Sequence, residues 1–319
     1  MQYKLKKIRS DASFREFFRL KKGNKTSIIV TARKERFRNL VAYSAINKFL
    51  RGKGIHTPKT ISQHFSEGIM EIEDFGDNTL FHSIRKSKNI FPYYKKSVNV
   101  ILKLQKIKPI NKIKIKLNRN LKLNNYNIKN LHKDSDLFLN WYLPGVLGKR
   151  KSKKFKKKIK IELNKLYKQI YFKNKFIVHR DFHVSNIMPV KSKLGIIDTQ
   201  DVILGNPMYD VASLIDDVRI QIPLTIKNKI FQYYLKKSSL RKDIDFLKND
   251  FDILSIQRNL KILGIFYRLD IRDKKPQYLK YLPYTWKLIE LRMKNKIFKN
   301  LEKILLDAVS KKLRKKKKF

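Results

Sequence analysis

Residues Val178 to Asp201 read VHRDFHVSNIMPVKSKLGIIDTQD, and the spacing of their polar groups governs how the rest of the chain is understood. Two His, three Asp, an Asn and an Arg stand between short apolar runs. His179, Arg180 and Asp181 follow the apolar run Phe176-Ile177-Val178, and Asn186 comes after four intervening residues. Asp198 then follows Ile196-Ile197. Asp181, on a loop after a strand, is placed to accept a proton from an attacking hydroxyl. Asn186 offers a neutral oxygen, and Asp198 a hard anionic one, both suited to magnesium. Taken singly these groups also fit a core His, a capped turn or a helix N-cap. Their joint order between two apolar runs favours a phosphoryl-transfer site.

The surroundings are unlike this acidic patch. Lys and Arg number 76 against 26 Asp and Glu, for a formal net charge of +50. Such an excess points toward nucleic acid. Against that, basic residues scatter through every segment, Lys, Ile and Asn are abundant, and Ala and Gly are scarce, as in AT-rich coding. The dense runs KRKSKKFKKKIK (Lys149 to Lys160) and KKLRKKKKF (311–319) lack the interleaved aromatics of a base-stacking platform. They read as solvated faces, and no specific nucleic-acid partner is expected. With 42% hydrophobic and 12% aromatic residues over 319 positions, the composition is that of a globular protein. There is no Cys, which excludes disulfides and thiolate metal sites. MQYKLKKIRSDASF lacks the apolar core of a signal peptide, and no apolar run reaches the roughly 18–20 residues of a membrane span. The expectation is a soluble, cytoplasmic protein.

Along the chain, ASFREFFRL and SIIVTA around the turn KKGNKT predict a hairpin, and RFRNLVAYSAINKFLRGKG a helix ending near Gly52 or Gly54. HTPKTISQHF and GIMEIEDFGDNTL predict two further strands. Beyond Thr79 helical spacing takes over, at Leu80–Arg85, Tyr93–Gln105, Ser135–Tyr142, FKKKIKIELNKLYKQIYF, ILSIQRNLKILGIFYRL and YTWKLIELRMKNKIF. The Lys- and Asn-rich residues 109–130 read as loop. The plan is α+β and two-lobed: a small β-rich N-lobe over 1–77 and a larger helical C-lobe over 78–319 with a basic tail at 311–319.

His179-Arg180-Asp181 with Asn186 matches the H-R-D-x-x-x-x-N loop of protein kinases and their relatives. The longer pattern HRDFHVSNIM, GIIDTQD and GNPMYDVASLIDD resembles the aminoglycoside phosphotransferase family. DASFREFFRL from Asp11, EDFGD from Glu73, DLFLNWYL from Asp136, QRNLKILGIFYRL from Gln257 and RDKKPQYLKYLP are similar, in order, to its bacterial cell-wall-recycling branch. Members of that branch phosphorylate N-acetylmuramate and N-acetylglucosamine at the anomeric hydroxyl. The resemblance implies a two-lobed protein-kinase-like fold, ATP and Mg2+ as cofactors, and a small-molecule sugar as acceptor. It implies Asp181 as catalytic base, Asn186 and Asp198 as metal ligands, and Ser13, Glu73 and Phe75 at the nucleotide. His179, Arg180, His183, Asp201 and Asp210 would support substrate or loop, and Asp210 would equally serve as a helix N-terminal acid.

The chain departs from that branch at three places. Thr199 replaces an aromatic after the metal Asp. Val30-Thr31-Ala32-Arg33-Lys34-Glu35 stands where the branch has M-D-A-P-P-E. There is also no V-A-I-K lysine; Arg33 or Lys34 would approach the phosphates in its place, or be solvated surface charge. No G-x-G-x-x-G or Walker A occurs. Two further readings stay open. One is a kinase of the same fold acting on an aminoglycoside, choline, an amino acid or another sugar. The other is a basic, non-catalytic binder of nucleic acid or a membrane surface, which should bind with steep salt dependence.

Overall fold

The computed structural model describes residues 3–8, 15–32, 37–115 and 120–316. Ser13, Arg33 and Lys34 lie outside the described residues. In chain order the elements are β1 (Tyr3–Ile8), β2 (Glu16–Lys22), β3 (Lys25–Thr31), α1 (Phe37–Gly52), β4 (Thr60–His64), β5 (Ile69–Glu73), α2 (Leu80–Arg85), α3 (Phe91–Lys106), β6 (Lys112–Lys114) and β7 (Asn120–Lys122). They continue with α4 (Ile128–Leu137), α5 (Leu143–Leu147), α6 (Lys149–Lys168), β8 (Phe176–Val178), β9 (Ile187–Val190), β10 (Lys193–Ile196) and β11 (Ile203–Gly205). Helices α7 (Met208–Ile215), α8 (Leu224–Lys237), α9 (Ile244–Asp273), α10 (Leu282–Met293), α11 (Lys299–Ala308) and α12 (Lys311–Arg314) complete the chain.

Two compact units result, residues 1–124 with 176–204, and residues 125–175 with 205–319. This grouping by contact differs from the expected lobe division at residue 77, because α2 and α3 pack against β8, β9 and β10, and residues 199–201 against α1.

The first unit is built on an antiparallel sheet of order β1-β2-β3-β5-β4. Alternation places Ile28 and Val30 of β3 and Met70 and Ile72 of β5 on one face, against Leu40 and Tyr43 of α1. Lys22 pairs with Lys25 across the two-residue turn Gly23-Asn24, as the hairpin reading expects. β1, paired with β2 from Tyr3↔Lys22 to Ile8↔Phe17, has no counterpart in that reading, since its Lys-rich, mostly exposed residues give no apolar signal. Residues 109–130 hold more than loop: Ile113 pairs with Leu121 between β6 and β7. Helix α4 then opens on a capping box between Asn127 and Asn130.

In the second unit the 30-residue α9 is the axis, packed by α4, α7 and α10. Gly264 makes the close approach to α4 possible, because a Cβ there would stand 2.2 Å from the Leu137 carbonyl carbon. Phe138 to Tyr142 form a single π-turn, and Trp286 Nε1 donates to Tyr142 Oη at 2.8 Å in the core behind it. α6 carries the dense Lys run with Ser152, Ile159, Leu163, Leu166 and Tyr167 buried and the lysines mainly outward. Part of the basic tail is docked: Arg314 pairs with Glu290 and lies over the Trp286 ring.

The same unit buries a charged network. Asp216, fully buried, accepts from Lys227 (2.8 Å), Ser255 (2.6 Å) and Arg292 (2.7 and 3.0 Å). Burial pushes its carboxyl up, but Lys227 and Arg292 outweigh burial and hold it well below the usual carboxylate range. Among the described residues no helix is long and apolar enough to cross a membrane.

Candidate active site

The loop at 179–201 lies wholly in the first unit. Buried Ile177 and Val178 anchor its start, with β8 paired to β11. The loop closes through a turn at Val184–Asn186 into the hairpin β9–β10, whose Ile196 N–H donates to His56 O at 2.8 Å.

Three residues of this loop take positive φ without being glycine: Lys191 at +53° in the β9–β10 turn, and Arg180 at +73° and Asp198 at +64° beside the polar groups. Each costs on the order of 1–3 kcal/mol and persists only where its neighbours over-determine it. Those neighbours are on hand. Buried His179 shares a hydrogen bond of 3.0 Å between Nε2 and Ile197 O. Asn186 Nδ2 donates to Asp181 O at 3.0 Å, and Ile197 N–H donates to Asn186 O at 3.1 Å. His183 Nε2 lies 3.3 Å from Asn186 Nδ2 and helps orient the amide, which turns Asn186 Oδ1 to the side away from Asp181 O. Asp181, Asn186 and Asp198, chosen from spacing alone, are thus tied into one backbone-and-side-chain network.

Sequence reasoning overlooked the group that touches Asp198. Arg15 Nη2 donates to Asp198 Oδ1 at 2.5 Å, and its Nη1 donates to Gln200 Oε1 at 3.0 Å. Gln200 Nε2 donates in turn to the same Asp198 oxygen at 3.1 Å, and to Asp201 Oδ2 at 3.1 Å. The Arg15 guanidinium lies over the Phe17 and Tyr43 rings, with its side chain 7% exposed. Arg15 stands immediately before β2, and nothing in the local pattern there points to Asp198. Thr199 donates to Asn47 Oδ1 of α1 at 2.6 Å, both groups buried, so a hydroxyl bond to the helix occupies the place of the missing aromatic.

Exposed Asp201 stands 4.0 Å from Arg180. Asp210 is buried in the first turn of α7, in the other unit.

The segment at 73–77 is clamped. Arg19 donates to both oxygens of Asp74 (2.6 and 3.1 Å) and to Asp77 (2.7 Å). The Asp77 and Asp74 carboxylates push the guanidinium further up, and Arg19 pulls Asp77 down. Glu73 Oε2 accepts from Lys59 N–H at 3.1 Å and lies 3.4 Å from Arg51, which commits its carboxylate to the β4 side. The Phe75 ring packs 4.7 Å from the His56 ring and over Gly195, where a Cβ would fall 2.5 Å from Phe75 Cε2. Burial lowers the pKa of His56 and keeps it neutral near pH 7.

The description "Phosphotransferase enzyme family" (APH) belongs to the family model that matches residues 4–246. The chain belongs to this family. It is a kinase with a hydroxyl group as acceptor. Curated relatives agree along most of its length. An N-acetylmuramate/N-acetylglucosamine kinase of Pseudomonas aeruginosa is 27% identical over 88% of this chain and 81% of its own. Another of that name, from Neisseria meningitidis, is 24% identical over 86% and 81%. The solved streptomycin–ATP–APH(2″)-IIa ternary complex covers 84% of this chain and 89% of its own, at 16% identity and a TM-score of 0.58. The phosphotransferase fold, a small antiparallel sheet domain followed by a mostly helical remainder, is therefore the one the family resemblance implied.

Proposed function

We propose that the chain is an ATP-dependent sugar kinase that phosphorylates the anomeric hydroxyl of N-acetylmuramate and N-acetylglucosamine in the cytoplasm, within cell-wall sugar recycling. The observation that carries this reading is the single network linking Asp181, Asn186 and the segment leading to Asp198. The names of the curated relatives support the acceptor.

In this reading Asp181 takes the proton of the sugar hydroxyl as it attacks the γ-phosphate in line. An anomeric hydroxyl is more acidic than an ordinary alcohol, which eases the demand on a carboxylate base. Asn186 Oδ1 and the Asp198 carboxylate would hold Mg2+, which neutralises charge on the phosphates when bound. Among the described residues no cluster of three or more His, Cys, Asp and Glu is arranged for a metal. One carboxylate and one amide are nevertheless a sufficient protein share, because magnesium keeps waters and phosphate oxygens as its other ligands. Phe75 and the backbone from Glu73 would face the adenine. Catalysis is then chiefly positioning and charge neutralisation.

The test is a panel of acceptors with radiolabelled ATP, followed by mild acid treatment of the product. Transfer to the two amino sugars giving an acid-labile phosphate is expected. Transfer only to aminoglycoside, choline or an amino acid, or an acid-stable sugar phosphate, overturns the acceptor assignment. Salt-sensitive nucleic-acid binding without any transfer overturns the enzyme's proposed role altogether.

A further inference from the structure

Kinase-like sites commonly hold the nucleotide phosphates with a lysine on the third strand, itself ion-paired to an acid on the following helix. Among the described residues of the third strand and the following helix, neither half of that pair is present. β3 is KTSIIVT, with its Lys at the exposed first position, and α1 from Phe37 to Gly52 contains no Asp or Glu. Their joint absence is informative, because a helix acid without its lysine, or the reverse, would be a buried charge without a partner.

Arg15 stands where a phosphate-binding cation is needed. Its guanidinium reaches Asp198 Oδ1 at 2.5 Å and Gln200 at 3.0 Å, and its Cζ lies 5.5 Å from the Phe17 ring centroid and 5.8 Å from that of Tyr43. We propose that Arg15 is the cation that engages the β-phosphate of the nucleotide, in place of the third-strand lysine. This rests on the reading of Asp198 as a magnesium ligand. If Asp198 held magnesium with the nucleotide, a group in contact with that carboxylate would stand close enough to reach the phosphates. A guanidinium presents five donors in a fixed fork and serves a carboxylate and a phosphate together, which an ammonium does less well. Arg15 and Gln200 both bond Asp198 Oδ1, so Oδ2 is the oxygen left for the metal. Arg15 thereby also sets which carboxylate oxygen faces the nucleotide.

Titration calorimetry on the full chain with Mg-ADP and with adenosine tests this without turnover. The unaltered protein should bind both. Arg15→Met should weaken Mg-ADP by roughly 10- to 100-fold, the worth of one charge-assisted phosphate contact, and leave adenosine affinity unchanged. Arg15→Lys should fall between. Equal Mg-ADP affinity in Arg15→Met and the unaltered protein overturns the assignment and leaves the phosphotransfer site standing. Parallel loss of adenosine and Mg-ADP binding makes Arg15 a merely structural residue and overturns it as well. If the unaltered protein binds adenosine but gains nothing from the phosphates, the site reading falls first and this one with it.

Discussion

The backbone carbonyl of Asp181 is held by Asn186 Nδ2 at 3.0 Å, so in the proposed mechanism the base and one metal ligand would be positioned by the same bond. Converting Asp181 to Asn keeps shape and removes basicity. Turnover should fall by about 10²- to 10⁴-fold while Mg-ADP binding stays within a few-fold, as single-turnover assays and calorimetry will read. Retained turnover would sink the assignment of the base. Gly195→Ala tests the other end of the site. A methyl 2.5 Å from the Phe75 ring displaces that ring or strand β10, at a cost of roughly 1–3 kcal/mol in urea unfolding. Residues of this kind differ in how far a sequence exposes them. Asp181, Asn186 and Asp198 are close in the chain, and their spacing alone marks them. Arg15 meets Asp198 across 183 positions, and no local pattern carries that pairing.

At the scale of elements, close helix contact rests on one small residue. Gly264 of α9 faces the Leu137 carbonyl with no room for a side chain, and the obstructing atoms are backbone, which cannot swing aside. The clash at Gly264→Ala should therefore outweigh the roughly 1 kcal/mol that a glycine-to-alanine change usually gains in a helix; a net loss of about 2 kcal/mol or more by urea unfolding is expected. Unchanged stability would mean that the helices separate at no cost. Elements with strong short-range signals were readable: α2 begins and ends at Leu80 and Arg85, and the β2–β3 turn falls at Gly23-Asn24. Others depend on what lies beside them. β1 is a strand because β2 offers it an edge, and the three-residue β6 and β7 exist only as each other's partner. Met208–Ile215 is buried along its whole length, so no polar face marks its period as helical.

Over the whole molecule, an excess of 50 positive charges acts against compaction. Raising NaCl from about 0.02 to 0.3 M shortens the screening length to below roughly 8 Å, and the thermal midpoint should rise accordingly. A midpoint that falls or stays flat would show that local ion pairs such as Arg19 with Asp74 outweigh the repulsion. Acidic groups have a separate signature. Burial pushes Asp252 up to about 6 from its ordinary 3.8, with Arg292 and Asn295 opposing only in part. The unfolded chain then ionises first, so this group's contribution is fully present below the ordinary value and is lost as pH rises toward 6. Asp252→Asn should lift stability at pH 7 by roughly 1–3 kcal/mol and flatten the difference curve between pH 4 and 6, followed by urea melts across that range. A difference curve with the opposite slope rejects the assignment. The change from strands to mostly helices was readable from the switch in periodicity near Thr79, whereas the packing of 176–204 with α1, α2 and α3 is a long-range closure that periodicity does not encode. That closure bears on how the protein is made. The first unit needs two stretches of chain separated by residues 125–175, so a growing polypeptide carries the sheet without its loop while the ribosome adds that insert. At about 5–20 residues per second the wait is roughly 3–10 s. Until residue 204 has emerged, α2 and α3 lack β8, β9 and β10, the strands that pack on them, and it is in that interval that a chaperone has most to protect.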